Sequence, residues 1–164
     1  MDFYTILYGI LFVFIVGTLL HYTYEWSGNN SIVGYFSPVN ESVWEHMKMF
    51  FFPMLVYGRF TLGTTNQPCQ SSALSVSILI GTILMPVLFY TYTNLLGRNY
   101  LAFDILAFLV SIVIAFVCYY FFTIHCTFGK YNSPLSLAVF LLLLAFIIFT
   151  YFPPKQFSIF RDNT

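Results

Sequence analysis

The sequence predicts an all-α protein, a polytopic membrane helix bundle of about five transmembrane helices that forms one integral-membrane domain over residues 1–164. Hydrophobic residues make up 59% of the chain and charged residues only 7%, whereas soluble domains carry about 25% charged residues. Several apolar stretches reach about 18 residues, the length that crosses a hydrocarbon core of about 30 Å. Tyrosine and tryptophan gather near the ends of these stretches, as in the aromatic belts of membrane proteins.

The predicted spans are, in order, residues 3–25, 43–63, 73–97, 101–125 and 134–152. The first has no charged residue before its last turn, so we interpret it as a helix and not as a secretory signal, which needs a positive start and a cleavage site. The second is the weakest, because Lys48 and Arg59 bracket it and Pro53 interrupts it.

The last three spans are more strongly apolar. Gly81 and Pro86 predict a kink in the third span. The fourth contains a single acid, Asp104, near its start. The fifth ends at Pro153-Pro154, a pair that cannot continue a helix.

The connection between the first two spans is long and unusually apolar. Residues 27–39 include Ile32, Val33, Tyr35 and Phe36 among glycine and asparagine. Structureless loops of this length are uncommon unless they are functional or disordered, and this composition is too apolar for a free linker. We expect the segment to fold back as a lid or a shallow re-entrant loop, which is tolerated where it is buried in protein or lines a wet cavity.

Five spans place the two termini on opposite sides of a cell membrane. The side that holds the C-terminus carries four of the six basic residues, Lys48, Arg98, Lys155 and Arg161, against Arg59 and Lys130 on the other. The positive-inside rule therefore predicts an outer N-terminus and a cytoplasmic C-terminus. Cys69 and Cys126 fall in loops on the outer side, where either a disulfide or two free thiols would be compatible with the sequence.

Most of the ionisable residues near the first two spans fall into one short window. Within 26 residues lie five of the chain's nine acids and histidines, namely His21, Glu25, Glu41, Glu45 and His46. The predicted topology brings Asp104 to the same depth at the cytoplasmic interface. Because carboxylates and imidazoles are costly near hydrocarbon, such a concentration predicts a functional site.

These side chains suit two kinds of chemistry. We expect His21, Glu25 and His46 to bind a divalent metal such as zinc, with Glu41, Glu45 and Asp104 as catalytic carboxylates, because two imidazoles and several carboxylates form a typical zinc ligand set. The same groups could instead form a metal-free acid–base pair. No established zinc-binding spacing such as HExxH occurs in the chain.

Part of the cluster also has a purely structural interpretation. The segment from Ser42 to Glu45 fits an S-x-x-E capping box, in which Glu45 satisfies backbone donors at a helix start. Glu41 would then complement the helix dipole, and His21 and Glu25 would lie among lipid headgroups. Asp104 lies inside a span, where that interpretation does not apply.

The function that these observations favour is a small membrane-embedded enzyme, a metal-dependent hydrolase or transferase with a His/carboxylate site at the cytoplasmic interface. Its substrate would be a membrane lipid or another amphiphilic small molecule. An ion- or proton-coupled transporter or channel, or a non-catalytic membrane subunit, are the alternatives. The six basic and six acidic residues cancel, so nothing in the charge balance favours nucleic acid.

Two segments also carry a resemblance to a known family. They are FSPVNESVWEHMK, residues 36–48, followed by FFP, and HYTYEWSGN, residues 21–29. These blocks resemble the signature of a family of small bacterial membrane proteins of unknown function. The resemblance covers about the first third of the chain and implies a bacterial multi-pass membrane protein, with no activity or catalytic residues attached to it.

Overall fold

The computed structural model describes residues 3–62 and 68–162. In these ranges the helices are α1 (Phe3–Trp26), α2 (Ser31–Gly34), α3 (Val43–Tyr57), α4 (Pro68–Leu96), α5 (Leu101–His125) and α6 (Asn132–Tyr151). A π-helical turn, Gly58–Leu62, continues α3, and short 3₁₀ turns lie at Gly129–Tyr131 and Ser158–Phe160. The described ranges contain no strand, only one isolated bridge between Ser42 and Asp162. The prediction of an all-α helix bundle is confirmed.

Four helices are long and apolar enough to cross a membrane, namely Tyr4–Trp26, Pro68–Leu96, Leu101–His125 and Gly129–Tyr151. The chain is therefore a small multi-pass membrane protein. The predicted second span corresponds to α3 and its π-helical turn, which are not among the four. The 15 residues of α3 extend about 22 Å at ~1.5 Å per residue, less than a hydrocarbon core. The predicted end of that span, residue 63, lies outside the described residues.

Helix α3 forms the centre of the bundle and runs antiparallel to α1. His46 lies beside His21 at one end of the pair, and the Tyr57 hydroxyl donates a hydrogen bond to the Thr5 carbonyl at the other. Phe50 in the middle of α3 is fully buried. Lys48, the basic residue of α3, is buried together with Glu45, with which it forms an ion pair, whereas Arg59 in the π-helical turn is exposed.

A glycine allows the close packing of α1 on its neighbours. A Cβ atom at Gly17 would overlap the Met49 carbonyl and lie 2.6 Å from Phe108 Cζ. Pro53 has no N–H to give the Met49 carbonyl its usual helical partner, and that carbonyl lies against α1. Only glycine leaves room for this contact between α1, α3 and α5.

The two ends of the bundle differ in chemistry. At one end, which we call the site end, α1 and α4 finish and α3 and α5 begin. At the opposite end a disulfide joins Cys69 at the start of α4 to Cys126 after α5, with their Cα atoms 4.8 Å apart. The structure thus selects the disulfide over two free thiols, and Cys118 is the free cysteine of the described residues.

Candidate metal centre

Two histidines and a glutamate converge at the site end. His21 lies near the end of α1, Glu41 precedes α3 and His46 occupies the first turn of α3. One ligand atom from each of the three lies within 4.8 Å of the others. Nε2 of His46 is 3.3 Å from Oε2 of Glu41, and Nε2 of His21 is 4.0 Å from Oε1. The three side chains thus surround one small volume.

The start of α3 fixes the position of Glu41. Ser42 is the N-cap, and its hydroxyl accepts the backbone N–H of Glu45 at 3.4 Å. The Asn40 side chain in turn accepts the backbone N–H of Ser42 at 3.0 Å. These two contacts close the turn and define the start of α3. Glu41 projects from this turn, just before the helix begins.

The backbone also orients His46. Its Nδ1 lies 2.9 Å from the Ser42 carbonyl, so Nδ1–H donates there. In the neutral imidazole held in this way Nε2 carries a lone pair, and metal-binding histidines generally have such a second hydrogen bond at the other nitrogen. When His46 is protonated, Nε2–H forms an ion pair with Glu41 instead. A metal ion would take the place of that proton.

The ring nitrogens of His21 have fewer hydrogen-bond partners than those of His46. Its Nδ1 is buried and has no hydrogen-bond partner in the part of the chain that the structure describes. Its Nε2, at 4.0 Å from Glu41, is too far away for a hydrogen bond. A cation held between the three groups would bind Nε2, the His21 nitrogen nearest Glu41, and would leave the buried Nδ1 as it is.

Glu41 is a good anionic ligand. The hydrogen bond from His46 lowers the pKa of the Glu41 carboxyl more than partial burial raises it, and the charges of His46 and His21 lower it further. Since Glu41 is half exposed, the effect is modest in energy. The carboxylate is nevertheless fully ionised at neutral pH.

The spacing is close to that of a zinc centre. Tetrahedral geometry with zinc–ligand bonds of ~2.0–2.1 Å places neighbouring ligand atoms about 3.3 Å apart. The His46–Glu41 separation of 3.3 Å matches this value, whereas the His21–Glu41 separation of 4.0 Å and the other separations within the 4.8 Å group would have to shorten around an ion. Three protein ligands with one open position are typical of catalytic zinc, whereas structural sites have four.

A cavity of about 320 Å³ adjoins His21, Glu41 and His46. Its polar side chains are Thr18, His21, Glu41, His46, Asn99 and Asp104, and its apolar walls include Val43, Met49, Met85, Phe89, Leu101, Ile105, Ala107 and Phe108. Asp104 accepts a hydrogen bond from the Tyr92 hydroxyl, and its charge acts on His46. The cavity therefore joins a charged end to an apolar interior.

The six predicted site residues separate into three groups. His21, Glu41 and His46 form the cluster, and Asp104 shares its cavity. Glu25 is exposed at the end of α1 and does not line the cavity. Glu45 is buried and binds elsewhere: its Oε2 lies 2.6 Å from Lys48 Nζ and accepts the Val39 N–H at 3.0 Å. Glu41, to which the sequence assigned a catalytic role, lies with the two histidines, whereas Glu25, which was expected to bind the metal, does not belong to this group.

Lys48 is a site-supporting residue that the sequence interpretation missed. Its fully buried Nζ donates to the carbonyls of Gly34 at 2.9 Å and Ser37 at 3.2 Å. With Glu45 it forms what we call the loop clasp, the Lys48–Glu45 ion pair together with its backbone contacts to residues 34, 37 and 39. The i, i+3 spacing of Glu45 and Lys48 on one helix was the available signal. Of the predicted capping box, the hydrogen bond from the Glu45 N–H to the Ser42 hydroxyl is present. The Glu45 carboxylate instead binds Lys48 and the Val39 N–H in the loop clasp.

The long connection folds back over the site end. Ser37 accepts a hydrogen bond from the Thr23 hydroxyl at 2.9 Å and donates to the Leu20 carbonyl at 2.5 Å. The Tyr151 hydroxyl, at the end of α6, donates to the Ser31 carbonyl at 2.7 Å. The segment is thus attached to α1, α3 and α6.

The sequence matches one protein family over nearly its whole length. A family model described as "Family of unknown function (DUF6512)" matches residues 3–164. The chain belongs to this family. No curated protein and no solved structure gives a significant match.

Proposed function

We propose that this protein is a membrane-embedded enzyme that binds a divalent transition metal, zinc being the best fit, through His21, Glu41 and His46. The substrate would be a lipid or another amphiphile, and the reaction a hydrolysis or a group transfer. The observation that carries the proposal is the group of three ligand atoms within 4.8 Å of one another, next to a cavity with a charged end and apolar walls.

Two details favour a metal over a metal-free acid–base pair. The Ser42 carbonyl takes the Nδ1 proton of His46, so that Nε2 is the nitrogen directed at the cluster, and Nε2 of His21 lies 4.0 Å from Glu41, too far for a hydrogen bond between them. A simple His46–Glu41 ion pair would account for the first pair of groups and would leave His21 unexplained. Imidazole and carboxylate together suit divalent transition metals, zinc among them.

The roles of the other cavity residues follow from their placement. Zinc supplies Lewis acidity and lowers the pKa of a coordinated water to about 7. Asp104, which lines the same cavity without belonging to the ligand group, is the candidate general base that accepts a proton. The Tyr92 hydroxyl holds the Asp104 carboxylate in place. The apolar walls hold the hydrocarbon part of the substrate.

The packing below the site is less favourable to a transporter or channel. One turn from His21 along α1, the tight contact of Gly17 with Met49 and Phe108 brings three helices together. Buried hydroxyls deeper in the bundle, such as Ser77, Thr82 and Ser111, donate to carbonyls of their own helices. A polar path across the membrane would need such groups to be free for ions or water.

Elemental analysis of the purified full-length protein tests the proposal. We expect about one zinc per chain after loading and removal of excess metal, and loss of that zinc in His21→Ala and His46→Ala. His125→Ala is the matched control, because this third histidine lies at the disulfide end and is exposed. A wild-type protein without stoichiometric metal, or equal metal in all four proteins, would overturn the proposal.

A further inference from the structure

The cavity beside the proposed metal centre is open on its side. Tyr22 on α1 and Leu101 and Ile105 on α5 line it, and their exposed fractions are 46%, 74% and 47%. Both helices are long and apolar enough to span a membrane. We call this opening the α1–α5 gap, bounded by residues 18 and 22 on α1 and residues 101 and 105 on α5. Because both helices can span a membrane, we infer that the gap faces the bilayer.

The gap closes toward the middle of the bundle. Deeper along the same two helices, Gly9 lies against Phe116 and Gly17 against Phe108, at distances too short for any side chain larger than hydrogen. The helices are therefore in direct contact there and diverge only near the site end. The result is a slot with a lateral opening, a closed floor and a charged end.

The floor of the slot is apolar and shielded. Met49, Ala107 and Phe108 line the cavity and are only 8%, 8% and 4% exposed. The charged residues lie at the other end, at the level where α1 ends and α5 begins. This division matches a molecule whose hydrocarbon part lies in the leaflet and whose polar group lies at the interface.

We propose that a single membrane phospholipid enters the slot sideways through the α1–α5 gap. One acyl chain would lie against Met49, Met85 and Phe108, which would bring the ester region to Glu41 and Asp104. The cavity volume of about 320 Å³ is at the lower end of ligand pockets, which fits one chain segment and not a whole lipid. This inference rests on the proposed enzyme function and names the class of its substrate.

Photolabelling in vesicles tests the inference. The full-length protein is reconstituted into phosphatidylcholine vesicles with a phosphatidylcholine that carries a diazirine along one acyl chain, and labelled peptides are mapped after illumination. Phe140 on α6 is 54% exposed, so its labelling measures contact with the surrounding lipid. Met49 is shielded, so its labelling requires an acyl chain inside the slot. We expect both residues to be labelled.

Variants at the opening make the test specific. Leu101→Trp narrows the gap at an exposed position, so we expect Met49 labelling to fall several-fold while Phe140 labelling is unchanged. Leu137→Trp is the matched control on α6, where Leu137 is 56% exposed, and it should leave both signals unchanged. Labelling of Phe140 without Met49, or Met49 labelling that Leu101→Trp does not alter, would overturn the inference.

Zinc content measured in the same samples separates this inference from the function on which it rests. One zinc per chain without Met49 labelling would refute the lipid slot and leave the metal centre standing. Met49 labelling in a protein that binds no zinc would refute the metal centre and retain the slot. One zinc per chain with gap-dependent labelling supports both.

Discussion

His46 receives its orientation from the backbone of its own helix. The Ser42 carbonyl takes the Nδ1 proton, and the N-cap that positions this carbonyl also places Glu41 one residue earlier. Two of the three proposed ligands therefore depend on one local turn, residues 40–46. His21 alone is contributed by another helix, so metal binding would connect α1 to the start of α3.

Metal affinity should fall as the pH is lowered, and histidine should set the midpoint. Protons compete for imidazole, whose ordinary pKa is about 6.5. The pKa of Glu41 is already lowered by the hydrogen bond from His46, so the contribution of this carboxylate persists until the pH falls below its ordinary range. Zinc titrations between neutral and weakly acidic pH check this. A midpoint near the carboxylate range would contradict it.

Replacing single carboxylates should distinguish ligands from neighbours. We expect Glu41→Gln to lower zinc affinity at least about tenfold, in the range that follows loss of groups at a metal site. Asp104→Asn and Glu25→Gln should keep one zinc per chain, because neither residue belongs to the ligand group. Competition with a chelator of known affinity measures all three. Zinc lost in Asp104→Asn and retained in Glu41→Gln would reverse the assignment.

At the scale of elements, the loop clasp connects α3 to the segment that carries Glu41. Lys48→Met would leave the Glu45 carboxylate buried and unpaired, which costs about 3–5 kcal/mol, and would release the Gly34 and Ser37 carbonyls. We expect a lower unfolding temperature and weaker zinc binding. The measurements are thermal unfolding and zinc titration in the same detergent.

A double variant separates stability from positioning. Glu45→Leu combined with Lys48→Met removes both buried charges, which is often close to neutral for stability. It should recover much of the unfolding temperature without recovering zinc affinity, because the loop carbonyls remain unanchored. Lys130→Met, at an exposed lysine of the disulfide end, is the control and should change neither. Full recovery of zinc binding in the double variant would contradict the positioning role.

The contact of α1 with α3 and α5 should tolerate no side chain at position 17. Gly17→Leu would force the helices apart, and overpacking of this kind costs about 1–3 kcal/mol or more. Ala102→Leu on the exposed side of α5 places the same leucine side chain where it meets no clash and serves as the control. Thermal unfolding compares them. Equal stability of the two variants would show that the helices do not pack as described.

At the scale of the whole molecule, the disulfide and the proposed metal centre lie at opposite ends of the bundle. Disulfides persist in oxidising compartments, so we expect the disulfide end outside and the site end in the cytoplasm. The experiment uses intact cells and a Cys118→Ala background. After treatment with a membrane-impermeant reductant, a membrane-impermeant thiol reagent should label Cys69 and Cys126. A cysteine introduced by Asn99→Cys, in the loop between α4 and α5 at the site end, should react with the thiol reagent only after the cells are lysed. The reverse pattern would invert the orientation.

The sequence predicted the architecture better than the details of the site. Apolar length and the proline pair after α6 suffice to predict the helices, because these signals are local. The choice between Glu25 and Glu41 as a ligand is not local, since it depends on how the loop folds back. Glu45 and Lys48 could be paired by spacing, yet their contacts with residues 34, 37 and 39 depend on tertiary structure.

X-ray absorption at the zinc edge of the loaded protein measures the ligand set itself, which is the central claim. The account predicts a first shell of nitrogen and oxygen at ~2.0–2.1 Å with the outer-shell scattering of two imidazoles. In His46→Ala this two-imidazole scattering should be lost together with the bound zinc, and His125→Ala should leave it unchanged. A shell with sulfur, or one whose imidazole scattering does not respond to His46→Ala, would contradict the account.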